Sequence, residues 1–333
     1  MDERLSALEA WLREVLRGDP FRLQRASTDA SFRRYFRVFR EGEPSLIAMD
    51  APPEREDSRS FVHVAGLLAE AGLNAPRLLA TDLERGFLLV TDLGTLSYLA
   101  ALGQGADPGR LFGDATAALV RWQAASREGV LPEYDERLLR RELELFPEWY
   151  LGRHRGVTLE GRRREALDHV FARILAHNLA EPRVFVHRDY MPRNLMVCDD
   201  NPGILDFQDA VFGPISYDVA SLFRDAFVSW EEERVLDGTI RYWEEARKAR
   251  LPVPPDFGQF WRDVEWMGVQ RHLKVLGIFA RLNYRDGKPG YLEDTPRFVG
   301  YVRHAAARYA ELSFLGELLD EAEGRSREVR LTF

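Results

Sequence analysis

The stretch "VFVHRDYMPRNLMVCDDNPGILDFQDA", residues 184–210, decides how the chain reads. "VFV" (184–186) and "LMV" (195–197) are β-prone, while "DDNPG" (199–203) is a turn cluster that "ILDF" follows. The spacing predicts a hairpin that folds "ILD" back against "NLMV". Such a hairpin sets Asp206 beside Asn194 and leaves Asp189 on the preceding loop, within reach of the same point. Two carboxylates and an amide oxygen form a hard-oxygen set of the kind that suits Mg²⁺, which takes few protein ligands and keeps waters. Asp199 and Asp200 read as ordinary turn aspartates.

Outward from this segment, two different textures appear. Leu5, Leu8, Leu12, Val15 and Leu16 recur at helical spacing over residues 3–17. "SFRRYFRVFR" (31–40), "SLIAMD" (45–50) and "GFLLVTDLG" (86–94) read as strands, and "SFVHVAGLLAEAG" (60–72) as a helix between the last two, closed by Gly72. A small antiparallel sheet with a crossing helix is therefore expected over residues 1–93. From Thr95 on, helical patterns dominate: 110–126, 137–150, 160–178, 216–228, 230–248, 257–282 and 295–322. The expectation is an α+β chain, with residues 94–333 forming a larger, mainly helical second domain.

Bulk composition narrows the field. At 333 residues, with 45% hydrophobic and 30% charged side chains, the chain has the make-up of a globular protein. A net charge of −8 argues against a nucleic-acid partner. One cysteine, Cys198, excludes an internal disulfide framework and fits a reducing compartment. The start "MDERLSALEAWLREVLRG" is charged and amphipathic, unlike a secretory signal, and no stretch approaches the roughly 18 uninterrupted apolar residues of a membrane span. A cytoplasmic monomer is expected, with no membrane partner.

The motif also carries a resemblance. "HRDYMPRN" reproduces the H-R-D-x-x-x-x-N catalytic loop of protein-kinase-like enzymes, and "LDFQ" stands where they carry D-F-G. "HRDYMPRNLM…ILDFQDAVFGPISYDVASL" resembles the aminoglycoside phosphotransferase/choline kinase family more than a protein kinase, and within it the branch that phosphorylates the anomeric hydroxyl of cell-wall amino sugars. The resemblance implies a two-lobed protein-kinase-like fold, with residues 1–93 as nucleotide-binding lobe and 94–333 as catalytic and acceptor lobe. It also implies ATP as phosphoryl donor, Asp189 as the base taking the acceptor's hydroxyl proton, and Asn194 and Asp206 holding Mg²⁺ across the nucleotide phosphates. His187 would brace the loop, and Asp218 would hydrogen-bond it from the following helix. "LLVTDLG" would place Val90 against the adenine, with the Thr91 carbonyl and Leu93 amide at its edge.

One departure stands out. Related kinases hold the phosphates with a strand lysine, yet no lysine precedes Lys248, and the corresponding position falls on Met49 or Asp50. "STDASFRRYFRV" (27–38) offers substitutes: Ser31 and the amides around Phe32 in a loop, then Arg33, Arg34 and Tyr35, with Arg37 beyond. Arg33, Tyr35 and Arg37 share a strand face and Arg34 points the other way. For the acceptor, the candidates are Arg193 and Gln208 beside the motif, Trp149 in the aromatic run "LFPEWYLGRH", and Arg271 in a helix whose apolar pattern it interrupts together with His272 and Lys274. An internal ion pair explains such buried charges equally well. The expected reaction is phosphorylation of the C1 hydroxyl of N-acetylmuramate or N-acetylglucosamine. The competing readings are an aminoglycoside, choline or amino-alcohol kinase, and a nucleotide-binding module without turnover.

Overall fold

The computed structural model describes residues 2–26, 33–225 and 227–325. Helix α1 (Glu3–Val15) precedes strands β1 (Arg22–Arg25), β2 (Arg34–Phe39) and β3 (Leu46–Asp50). Helix α2 (Arg59–Glu70) leads to β4 (Leu78–Asp82) and β5 (Phe87–Thr91). Helices α3 (Tyr98–Gly103), α4 (Pro108–Ala124), α5 (Glu136–Leu143) and α6 (Gly161–Leu179) follow, with a π-helical stretch, Phe146–His154, between the last two. Short strands β6 (Arg183–Val186), β7 (Leu195–Met196), β8 (Gly203–Ile204) and β9 (Val211–Pro214) lie in and around the quoted segment. Then come α7 (Tyr217–Phe223), α8 (Glu232–Lys248), α9 (Phe257–Asp286), α10 (Thr295–Arg308) and α11 (Ser313–Ala322). The chain divides into two compact units: Met1–Trp122 with Pro192–Ala210, and Gln123–Met191 with Val211–Phe333.

The first unit is built on a five-stranded antiparallel sheet, ordered β1-β2-β3-β5-β4. Alternation sends Phe36, Val38, Leu46, Ala48, Phe87 and Leu89 to one face, where Leu8, Trp11 and Leu12 of α1 cover them. The helical spacing of α1 is thus spent on this face, and Asp2 caps the helix by accepting from the Leu5 N–H at 3.1 Å. Cross-strand pairing puts Tyr35, Met49 and Leu88 in one row of the opposite face, and Arg37, Ile47 and Val90 in the next. Strands β1 and β4 give no sequence signal because both are edges. β1 reads "RLQR" and is mostly exposed, and β4 alternates between half-buried and exposed positions.

The second unit centres on α9, capped by Asp256 at its start and ended by left-handed Gly287. Most of its side chains from Asp263 to Lys274 are buried, charged ones included. Three expected helices differ from the structure: the one expected over 216–228 ends at Phe223, where Arg224 leaves the helical backbone. The helix expected over 137–150 stops at Leu143 and continues as the π-helical stretch, because Pro147 offers no N–H to the preceding turn. Gly277 of α9 packs against that join so closely that a Cβ there would lie 2.4 Å from the Leu145 carbonyl carbon. The helix expected over 295–322 breaks at extended Tyr309. That break aims the Arg308 guanidinium and the Tyr309 hydroxyl at buried Glu265, at 2.8 and 2.6 Å.

Candidate active site

The hairpin forms as the sequence spacing requires. Leu195 pairs with Ile204 and Met196 with Gly203, and the Leu205 N–H donates to the Asn194 carbonyl at 2.9 Å. Asn74 pins it from the side: its carbonyl accepts from Ile204 N–H at 2.8 Å and its amide donates to the Asp200 carbonyl at 2.7 Å. Gly203 is required here, since a Cβ would meet Cys198 Sγ at 2.8 Å.

Across this hairpin Asn194 Nδ2 lies 3.4 Å from Asp206 Oδ2, and Gln208 Nε2 donates to Asp206 Oδ1 at 2.9 Å. Asp206 adopts a left-handed backbone (φ 62°), a conformation an aspartate tolerates better than most residues. The next residue, Phe207, is buried and packs on Phe61 of α2, with ring centroids 4.8 Å apart. That anchor turns the Asp206 side chain outward, where it is exposed. Its oxygens and the Asn194 amide oxygen are hard donors on adjacent strand ends, a set that fits Mg²⁺.

The sheet supplies the neighbours. Tyr35 is half-buried; burial pushes its phenol up, and the Asp206 carboxylate pushes the same way. Arg33 pairs with Glu56 at 2.9 Å. Arg34 points to the α1 face, where it binds Asp2 and the fully buried Asp50, which Arg4 Nε also reaches at 3.0 Å. Arg37 pairs with Asp92, which also accepts from Ser45 Oγ at 2.7 Å and the Gly94 N–H at 2.9 Å. Met49, in the strand-lysine row, is buried. Val90 is buried, Thr91 Oγ1 accepts from the Arg77 N–H at 2.9 Å, and the Leu93 carbonyl accepts from Cys198 Sγ at 3.3 Å. Ser31 and Phe32 lie outside the described residues.

In the second unit, the loop that carries Asp189 hangs from Asp218 on the first turn of α7. The fully buried Asp218 carboxylate accepts from the His187 N–H at 2.7 Å and the Arg188 N–H at 3.0 Å. Burial pushes Asp218 up to about 7, and the Asp189 carboxylate adds to this, against the pull of those two N–H groups and of Arg271. His187 is buried, accepts from the Asp189 N–H at 3.3 Å and meets Tyr190 edge-on. Arg188 has φ 76°, a left-handed geometry that costs a non-glycine residue roughly 1–2 kcal/mol. It is held there by Asp218 on its N–H and by Glu142 on its guanidinium, at 2.6 Å.

Glu142 gives no signal in the sequence, because in "RRELEL" it looks like one more charge on a solvated helix face. It is buried and gathers Arg188, Lys274 Nζ at 3.0 Å and the Tyr134 hydroxyl. These cations hold its carboxyl below the usual range even though burial opposes them. Lys274 also donates to the Tyr217 hydroxyl at 3.1 Å. Of the acceptor candidates in this unit, Trp149 is half-buried on the π-helical stretch while its neighbours Phe146 and Tyr150 stack in the core. Arg271 is buried on α9. In the first unit, Gln208 is the buried donor to Asp206, and Arg193 is half-buried.

An antiparallel sheet with its helix, an H-R-D loop and a hairpin bearing the second aspartate define the α+β, protein-kinase-like class. A solved choline/ethanolamine kinase family protein from Mesorhizobium loti shares the fold, with a TM-score of 0.63 at 16% identity, covering 96% of this chain and 99% of its own. The chain belongs to the phosphotransferase enzyme family, whose pattern it matches over residues 22–253. It is 54% identical over 96% of both chains to a protein from Pseudomonas aeruginosa (strain PAO1) named N-acetylmuramate/N-acetylglucosamine kinase. A protein of the same name from Neisseria meningitidis serogroup B is 48% identical over 97% of both chains. Kinase membership implies the use of ATP. Among the described residues no helix is long and apolar enough to cross a membrane.

Proposed function

We propose that the chain transfers the γ-phosphoryl group of ATP to the anomeric hydroxyl of N-acetylmuramate and N-acetylglucosamine. Near-full-length identity of about half to relatives bearing that name carries the reading. In this reading the acceptor oxygen bonds to the γ-phosphorus as the bond to the bridging β–γ oxygen breaks, ADP departs, and the Asp189 carboxylate accepts the hydroxyl proton. An anomeric hydroxyl is more acidic than an ordinary alcohol, so one aspartate suffices as its base.

Asn194 and Asp206 would hold Mg²⁺, and when bound the ion would offset charge on the nucleotide phosphates. Ser31, Phe32, Arg33, Arg34 and Tyr35 would face the phosphates; Tyr35 has the best support, since Arg33 and Asp206 both act on its phenol, while Arg33 and Arg34 each already hold a carboxylate. Val90, Thr91 and Leu93 would frame the adenine, with residues 1–93 as the nucleotide lobe and 94–333 as the catalytic lobe. His187 and Asp218 would position the loop, and Arg193, Gln208 and Trp149 would meet the sugar. The enzyme would work as a cytoplasmic monomer on small molecules, without a nucleic-acid or membrane partner.

Incubation with ATP and each sugar, with the phosphate located by NMR, is expected to give the 1-phosphates. Asp189→Ala should lower kcat about 10²–10⁴-fold. Phosphate at another hydroxyl, or full activity in the Asp189 variant, would refute the assignment.

A further inference from the structure

Helix α9 buries two cations one turn apart, and only one of them has a carboxylate. Lys274 is paired with Glu142 at 3.0 Å and donates to the Tyr217 hydroxyl at 3.1 Å. Arg271 is 3% exposed, yet it forms no salt bridge with any described residue. Its Nη1 has no hydrogen-bond partner among the described residues, and its Nη2 has only the Met191 sulfur, at 4.0 Å. A buried guanidinium without a counter-charge is strongly disfavoured. Among the described residues no carboxylate pairs with it: Asp218, on which Arg271 acts through space, is taken up by two backbone N–H groups, whereas Arg188 shows that this region can supply a paired carboxylate when the cation is structural.

Position says what the charge is for. Met191, the sulfur beside Arg271, follows Asp189 by two residues on the same loop. Asp218, which carries that loop, is influenced by both Asp189 and Arg271. Asp218 is itself engaged with two backbone N–H groups, and no hydrogen bond joins it to Arg271. The guanidinium therefore keeps unspent donors in a dry setting next to the loop of the base. A planar anion that takes two parallel N–H bonds answers that description, and a carboxylate does so best.

Given the amino-sugar reading above, on which this inference rests, the two acceptors differ by one such group: N-acetylmuramate carries a lactyl carboxylate and N-acetylglucosamine does not. We propose that Arg271 is the specificity-determining residue that binds the carboxylate of the anionic acceptor. Neutral N-acetylglucosamine does without this interaction.

The test compares kcat/KM for the two sugars in Arg271→Met and Arg271→Lys at saturating ATP. Losing a desolvated charge pair of this kind costs about 2–5 kcal/mol. Arg271→Met should therefore lower kcat/KM for N-acetylmuramate by at least about 30-fold, mostly through KM. N-acetylglucosamine, which has no carboxylate for the guanidinium to bind, should change less than about threefold. Arg271→Lys should retain part of the preference, because an ammonium keeps the charge but cannot present two parallel N–H donors to one carboxylate. The urea midpoint of Arg271→Met should stay level or rise, since an apolar side chain replaces an unpaired buried charge.

Equal losses on both sugars would overturn the proposal and assign the guanidinium to the transferred phosphoryl group or to the fold. An unchanged sugar ratio in both variants would overturn it as well. Should Arg271→Met fail to fold, the ratio in Arg271→Lys decides by the same criterion. A wild-type chain inert on both sugars would instead overturn the amino-sugar reading, a separate and recognisable failure.

Discussion

Strand β2 and helix α9 each carry several cations in a row, and they treat them differently. On β2 and just before it, Arg33, Arg34 and Arg37 sit at a partly exposed surface, and each has a carboxylate: Glu56, Asp50 and Asp92. In the middle of α9, Arg271 and Lys274 are buried. Lys274 joins Arg188 at Glu142, while Arg271 has no carboxylate among the described residues. At a surface, water stabilises the charge whether or not a partner is present, so pairing is easily arranged and weakly consequential. In the interior, pairing decides whether the charge is tolerable, so an unpaired cation there calls for a functional reason.

Breaking the buried set should have the largest effect. Glu142→Ala strands Arg188 and Lys274 together and should cost about 3–5 kcal/mol, read as a fall in the urea midpoint. Arg188 is also held left-handed by this pair, so activity should fall with stability. A loss below about 1 kcal/mol would erase the distinction between interior and surface.

Asp218 sharpens the same point through pH. Its folded pKa of about 7 lies above the ordinary aspartate value of 3.8, so between these values the folded state holds a proton that the unfolded chain has lost. Its contribution to stability is then fully present below about pH 4 and is lost as pH rises towards 7. Asp218→Asn should gain on the wild type by up to about 1.4 kcal/mol per pH unit across that window. Parallel stability curves for the two proteins would contradict the raised value.

Asp50 bridges the two regimes, since it is fully buried while its partners Arg4 and Arg34 reach solvent. Asp50→Ala should cost about 1–3 kcal/mol, less than Glu142→Ala because the stranded arginines can rehydrate. The smallest effect is expected of Arg13→Ala. It removes an exposed pair with Glu9 on α1, worth at most about 0.5 kcal/mol in a urea titration.

Residues 184–210 determined a great deal unaided. The turn cluster "DDNPG" between two β-prone runs sets the pairing of β7 with β8, and that pairing brings Asn194 to Asp206. Helical spacing likewise gave α1 its buried stripe of Leu8 and Leu12. Such features are local: a few residues of covalent spacing and one period of burial specify them. Strands β1 and β4 are silent in the sequence because an edge strand here buries too few side chains to leave an apolar run, and Pro147 marks a disturbance in the helix without saying that it becomes a π-helical stretch. What only the tertiary structure decided is which charges meet. Glu142, Arg188 and Lys274 come from three separate elements: Glu142 alone resembles a solvated surface residue, and although Lys274 interrupts an apolar pattern, nothing local names its partners. Whether a charge has a partner depends on segments distant in the chain arriving at one dry point, and no local pattern encodes that arrival.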